Sequence, residues 1–310
     1  MELKKLDLVV ESLKKGLELV GTEIIASKKR ILINKNCFYE IAINNSDKKI
    51  GFVDGGNGEI IASANFSVQL IKIYYSIYQN NKRINQELDE FVILIKLKDD
   101  SYEVKFFDRT DAFKFCAFEN GHLIKPSIIG ERIRKIFEIK KSIKLVDNCN
   151  FIIRDGDLEI NDYDELYYEE LFESCKEKKV VIGGLSKTST LLCDNGLSAG
   201  VVLKKLTKLP KWYYNNDDKI FFVKLNNRSR HVFRLDMQPF NSELISLLAM
   251  NSVDLTFPGY PYGLIEVDKM ARVRREELEQ MKLYILSKHE KELDEHLASI
   301  DAHDLLNVTS

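Results

Sequence analysis

Two aspartates stand where short apolar runs meet glycine. Asp54 lies in GFVDGGNG and Asp155 in FIIRDGD, about a hundred residues further on. A carboxylate at the end of an apolar strand projects from the sheet edge, and neighbouring strands of this kind bring their carboxylates together. Hard oxygen donors without His or Cys beside them suit Mg²⁺ or Mn²⁺. Either motif alone is equally a hairpin turn, for which Asp-Gly and Asn-Gly are favoured. The pair is more informative than either member. Gly55, Gly56 and Gly58 are expected to let the chain turn away after Asp54.

Glu138, in RIRKIFEIKK, precedes the second aspartate on a segment with helical spacing, and Arg134 four residues earlier suits it as a solvated i,i+4 partner. Near the C-terminal end FPGYPYGLIEVDKMARVRREE brings Tyr260, Tyr262, Glu266 and Asp268 close together in and after a proline loop. Such a loop either packs its aromatics on the core or presents them for function. Lys187, beside Ser186, Thr188 and Ser189, carries groups suited to phosphate contact at a strand end. KKLTKLPKWYY interleaves four lysines, Lys208 and Lys211 among them, with Trp212, Tyr213 and Tyr214. Cations track a nucleic-acid backbone and rings stack on unpaired bases, although an exposed lysine loop with an anchored Trp reads equally well.

The elements that must position these groups follow from periodicity. Residues 6 to 25 show three- and four-residue apolar steps, predicting an amphipathic helix. KKIGFVDGGNGEIIASANFSVQLIKIYYSIY reads as strand, glycine turn and long strand, and EFVILIKLKDD with SYEVKFFDRT as a further hairpin. A helix from Pro126 to about Val146 feeds the strand before Asp155. A second helix over 162–178 precedes the buried strand KVVIGGLSK, a strand-helix-strand unit with which part of the sheet is expected to be parallel. KIFFVKL and HVFRLDM supply two more strands, NSELISLLAM a helix, and a long charged helix is expected from about Leu264 into the 290s. His289, His296 and His303, seven residues apart, read as surface positions of that helix.

The 310 residues suffice for one large domain or two modest ones. With 45% apolar and 30% charged residues, and only 15 glycines and 5 prolines, disordered and collagenous chains are excluded. Lys plus Arg number 46 against 48 for Asp plus Glu, so a generally basic coat is absent while a local basic channel beside acidic metal ligands is not excluded. Five scattered cysteines without a CxxC pair suggest neither a disulfide framework nor a zinc site and fit a reducing cytoplasm. The charged start MELKKLDLVV and the lack of a long apolar run argue against export and membrane insertion. Without a repeat or linker, residues 1–310 read as one elaborated α/β domain with helical additions at both ends.

GFVDGG, the helix RIRKIFEIKK ahead of FIIRDGDL, GGLSKTSTLL, HVFRLDM and above all PGYPYGLIEVDKMARVRREE stand in the order and approximate spacing of the NurA nuclease family, which the chain resembles over residues 50 to 280. The resemblance implies an RNase H-like mixed sheet flanked by helices, with a nuclease core at about 45–280. It implies a homodimeric, metal-dependent deoxyribonuclease that degrades ends 5′ to 3′, cuts single strands and works with a HerA-type hexameric ATPase in resecting double-strand breaks for recombinational repair. Asp54 matches the family's first aspartate, Glu138 its helical glutamate, Asp155 its second aspartate and Tyr260 its active-site tyrosine. Two Mn²⁺ or Mg²⁺ ions are the cofactors so implied, about 3.5–4 Å apart in sites of this kind.

One position departs: where the family string ends in Ala-His, this chain has Val267-Asp268, so Asp268 stands for a histidine ligand. Oxygen from an aspartate also binds Mn²⁺ or Mg²⁺, and Asp54, Glu138, Asp155 and Asp268 then form a four-carboxylate site. Two rivals stay open: a catalytically impaired subunit that binds DNA ends or the ATPase on the same fold, and an ATPase of the sugar-kinase and actin type. Against the second stands the lack of another glycine-rich phosphate loop.

Overall fold

In the computed structural model, residues 3–17, 21–26 and 29–288 are described. The chain opens with α1 (Leu3–Leu17), then β1 (Glu23–Ala26), β2 (Lys29–Leu32) and β3 (Phe38–Glu40). Three long strands and two short ones follow: β4 (Ile50–Ala62), β5 (Phe66–Gln79), β6 (Lys82–Lys98), β7 (Ser101–Phe106) and β8 (Ala112–Cys116). A small hairpin of β9 (Phe118–Glu119) and β10 (His122–Leu123) leads to α2 (Pro126–Leu145), β11 (Phe151–Asp155) and α3 (Glu165–Lys178). Then come β12 (Val181–Ser186), β13 (Leu192–Cys193), α4 (Ala199–Leu206) and β14 (Trp212–Tyr214). The series ends with β15 (Ile220–Lys224), β16 (Phe233–Gln238), α5 (Ser242–Asn251), α6 (Tyr262–Ala271) and a helix over 275–288.

Eleven of these strands make up a large mixed sheet flanked by helices. The chain sorts into two compact units, one of Met1–Asp47, Asp155–Leu158 and Val181–Tyr262, the other of Lys48–Arg154, Glu159–Val180 and Gly263–Ser310.

In the second unit β4 to β8 form an antiparallel meander, and β11 joins the outer side of β4 in parallel. Ile, Val and Tyr crowd β5 (FSVQLIKIYYSIYQ), whose central position buries both of its faces. Asn80 and Asn81, both at positive φ, close the β5–β6 hairpin as a two-residue turn demands. Pro126 begins α2 where its missing N–H costs nothing, and Ile129, Ile133, Ile136 and Ile139 bury one helix face. The 275–288 helix lays Leu278, Met281 and Ile285 against Ile60, Ile61 and Leu70.

In the first unit β3-β14-β15-β16-β12 run antiparallel, and β13-β1-β2 form a separate sheet. Its core joins Ile24, Leu203, Trp212, Tyr214 and Phe222. Asn241 caps α5 by accepting from the Leu244 N–H at 3.0 Å.

Four expectations are corrected. Gly55, Gly56 and Gly58 do not turn the chain; β4 runs straight through them, and the reversal comes at residues 63–65. The N-terminal helix ends its described run at Leu17, and Glu23–Ala26 is a strand because Ile24 and Ala26 alternate into the core. The C-terminal helix is two helices, since residues 272–274 are not helical. This break follows α6 directly, and His289, His296 and His303 lie outside the described residues. Trp212, offered as a stacking platform, is 1% exposed and packs edge-on to Phe38 at 5.1 Å between centroids. No face of its indole is open to a base.

Among the described residues no helix is long and apolar enough to cross a membrane.

Candidate metal centre and active site

The parallel register pairs Ile50 with Phe151 and, at its far end, Val53 with Arg154; the next residue on each strand is an aspartate. Side chains alternate along a strand, so this register sends Asp54 and Asp155 out together. Asp268 arrives on α6, in the second turn of that helix. An oxygen from each of Asp54, Asp155 and Asp268 lies within 4.8 Å of the others.

The position of α6 depends on Gly56. A Cβ there would overlap the Ala271 carbonyl oxygen, so only glycine lets the end of α6 approach the strand. Glu266 holds the same helix from below: it accepts from Tyr78 Oη at 2.6 Å and Tyr74 Oη at 3.3 Å, and pairs with Arg83. Burial first and the Glu266 charge second push the Tyr74 hydroxyl up to about 12, so it remains a donor throughout the neutral range. Glu266 is thus an anchor for the helix that carries Asp268.

Tyr260 and Lys187 both approach Asp155. Tyr260 Oη lies 3.0 Å from Oδ1 and 3.2 Å from the Leu185 carbonyl, sharing one proton between two acceptors. The Lys187 ammonium is 2.6 Å from Oδ2 and 5.6 Å from the centre of the Tyr260 ring. Tyr260 is itself fully buried, its ring edge-on to Phe233 at 5.1 Å and to Phe257 at 5.7 Å. Gly259 delivers it from a turn at φ +97, where an added Cβ would also stand 2.5 Å from Ser229 Oγ. The loop after Asp155 is tied down by Asp236, whose Oδ2 accepts the Leu158 N–H at 3.1 Å. Arg234 grips both Asp236 oxygens at 2.7 and 2.8 Å, while burial pushes that carboxyl up against the pull of the guanidinium.

Glu138 is placed differently from the other carboxylates. It is 2% exposed, not a solvated helix charge, and it is absent from the three-carboxylate group among the described residues. Its Oε1 pairs with Arg134, as the i,i+4 spacing suggests, and its Oε2 accepts from Arg154 Nη2 at 2.8 Å. Arg154 also meets the Tyr168 hydroxyl within α3's buried face, at 2.5 Å. Burial opposes the Arg154 charge, yet Tyr168 and Glu138 together hold its pKa above the ordinary value. Glu138 and, more weakly, Asp54 do the same for Arg134, which also donates to the Gly55 carbonyl at 3.3 Å. Lys208 is exposed and Lys211 half-buried ahead of β14.

Three carboxylates offer only hard oxygen donors and an excess of negative charge, which is what Mg²⁺ or Mn²⁺ takes. Two oxygens bound to one Mg²⁺ at about 2.1 Å stand at most about 4.2 Å apart. A spread within 4.8 Å therefore closes into a shared shell by small side-chain rotations. The donor set fits the ion.

A mixed sheet with carboxylates converging from the end of β11, from within β4 and from a helix defines an α/β protein with a candidate hard-cation centre. The NurA domain family matches residues 48–273. The chain belongs to the NurA family of nucleases. The crystal structure of the NurA nuclease from Sulfolobus solfataricus is similar at a TM-score of 0.58 and 14% identity, covering 94% of this chain and 98% of that one. A second NurA crystal structure gives 0.50 at 8% identity over 76% and 86% of the two chains. Endonuclease V from Ciona intestinalis, bound to inosine-containing DNA, gives 0.43 at 12% identity over 89% and 99%. No curated protein sequence matches.

Proposed function

We propose that this NurA-family chain is a divalent-metal-dependent DNA nuclease, with residues 1–310 acting as one NurA-like domain in the cytoplasm. The observation that carries the reading is the convergence of Asp54, Asp155 and Asp268 within 4.8 Å. These three are the metal ligands, for Mn²⁺ or Mg²⁺ and for a pair of ions once a substrate phosphate is in place. When bound, the metal supplies an activated water and neutralises charge on the phosphate.

The chain's own residues do the rest. Tyr260 orients Asp155 by its hydrogen bond, and its buried ring leaves that hydroxyl little freedom. Glu138 acts one step behind the ligands, fixing Arg134 beside Asp54 and Gly55 of β4. Lys187, Lys208 and Lys211 are the phosphate contacts. Asp268 takes its place in the group, and this supports an active centre over the impaired end-binding subunit.

The family supports a finer reading: 5′ to 3′ exonuclease action on single- and double-stranded ends, single-strand endonuclease action, homodimerisation, and resection of double-strand breaks with a HerA-type translocase. The test is cleavage of 5′- and 3′-labelled single- and double-stranded DNA in Mn²⁺, Mg²⁺ or EDTA, with Asp54→Asn as control. Metal-dependent cutting that disappears in Asp54→Asn, with the circular dichroism spectrum unchanged, is the expected result. Cutting that survives either EDTA or the substitution overturns the assignment.

A further inference from the structure

The loop between β15 and β16, residues 226–231 (NNRSRH), holds Ser229 buried while Arg228 and Arg230 on either side of it are exposed. Ser229 seats the loop. Its N–H donates to the Asn226 carbonyl at 3.1 Å, its Oγ accepts the His231 N–H at 3.0 Å, and it packs on Gly259 so closely that a Cβ there would stand 2.5 Å away. Asn226 accepts the Arg228 N–H at 2.9 Å and donates at 3.0 Å to the Ser252 carbonyl, which also takes the Gly259 N–H at 3.1 Å. The loop is thereby fixed to the backbone that delivers Tyr260 to Asp155. On its other side Lys224 joins it to the segment of Lys208 and Lys211, donating to the Asn227 carbonyl at 3.3 Å and the Pro210 carbonyl at 3.1 Å, and Lys204 donates to the Arg230 carbonyl at 2.7 Å.

Positive charge is crowded here without an answering anion. Burial first and the Lys204 charge second pull the Lys224 ammonium below its ordinary value. Asp254, on the adjoining loop, turns Oδ1 to its own Thr256 and Phe257 N–H groups at 2.8 and 2.9 Å. Among the described residues no carboxylate pairs with Arg228, Arg230, Lys204 or Lys224. A guanidinium fork on a fixed loop matches the oxygens of a phosphate. We propose that Arg228 and Arg230 grip the DNA phosphates flanking the one at the metal centre, continuing the cationic run of Lys208 and Lys211 to the Tyr260 loop. This deepens the nuclease reading and rests on it for the identity of the ligand. A contact away from the reacting atoms holds substrate and transition state alike, so it lowers KM and leaves kcat unchanged.

Binding of a phosphorothioate single strand to the full chain in Ca²⁺ is followed against salt for wild type, Arg228→Met, Arg230→Met, the double variant and the double lysine variant, and cleavage of a labelled strand in Mn²⁺ is measured alongside. Each methionine substitution is expected to weaken binding and to reduce the salt slope by about 0.7, and the pair by about 1.4, while the lysine variant keeps the wild-type slope. KM is expected to rise in the methionine variants with kcat unchanged. Their melting temperatures are expected to stay within about 1 °C of wild type, because neither side chain leaves a buried partner behind. Wild type that binds DNA with a slope the methionine variants share overturns the inference alone and leaves the loop to another partner, such as an acidic protein surface. A fall in kcat at unchanged KM, or a slope lost only together with several degrees of stability, also overturns it. Wild type that neither binds the strand nor cuts in Mn²⁺ overturns the nuclease reading and the inference with it.

Discussion

Replacing Glu138 with alanine separates a metal ligand from a buried counter-ion. Both oxygens of Glu138 are engaged by guanidiniums, and Arg154 is as deeply buried as Glu138, each at 2%. Arg134 is 29% exposed and can turn to water, but Arg154 has no such route. Removing one partner of a buried pair costs about 3–5 kcal/mol, because the remaining charge is left uncompensated in the interior. Unfolding entropy near 2.1 cal/mol/K per residue gives about 0.65 kcal/mol/K for this chain. The melting temperature of Glu138→Ala is therefore expected to fall by about 5–8 °C in calorimetry without added metal. A second substitution, Arg154→Met, removes the stranded charge, so the double variant melts well above the single one. Mn²⁺ affinity changes little, since Asp54, Asp155 and Asp268 remain. A Glu138→Ala protein that melts within about a degree of wild type but loses Mn²⁺ affinity tenfold refutes the reasoning and makes Glu138 a ligand.

Three other outcomes follow from packing and burial. Gly56→Ala drives a methyl group into the Ala271 carbonyl, so a loss of about 3 kcal/mol in urea unfolding is expected together with reduced cleavage; unchanged stability means α6 is not seated there. The single tryptophan is buried, so its emission is expected to be blue-shifted, poorly quenched by acrylamide and insensitive to single-stranded DNA; quenching by DNA restores Trp212 as a stacking residue. Burial pushes the Cys149 and Cys175 thiols up to about 12 and Cys193 to about 11, so iodoacetamide at pH 8 is expected to label exposed Cys116 first; early labelling of Cys149 or Cys175 in intact-mass spectra contradicts the packing.

What could be read before the fold was known was what depends on neighbours in the chain. An apolar run followed by Asp-Gly is local, so Asp54 and Asp155 both stood out, although only Asp155 ends its strand, and α2, α3 and α5 follow from helical spacing. Asp268 could be singled out only by the family string, since nothing local separates it from other helix carboxylates. The glycines of β4 read as a turn because an isolated Asp-Gly-Gly is one; Gly56 instead answers to the approach of Ala271, more than two hundred residues away. Glu266 was visible as a residue but not as an anchor, because its partners Tyr74 and Tyr78 lie 192 and 188 residues earlier. Trp212 sits among lysines, a surface signature, yet its ring is claimed by Phe38 across the β3–β14 pair. Arg154 gave the least warning: a lone arginine in an apolar strand declares a buried anion only when the helix bearing Glu138 is laid over it.

The in-register parallel pairing of β4 and β11 makes the proposed metal centre sensitive to length rather than to composition. Strand spacing is set by the backbone ladder, and side chains alternate with a period of two. Apolar residues behind either aspartate can be exchanged for others of like volume without moving the carboxylates. Deleting one residue between Asn150 and Asp155, by contrast, keeps every ligand in the chain and turns the Asp155 carboxylate to the opposite face. A NurA-like sequence can therefore diverge widely in these strands and keep its centre, whereas a single codon gained or lost there is enough to dismantle it.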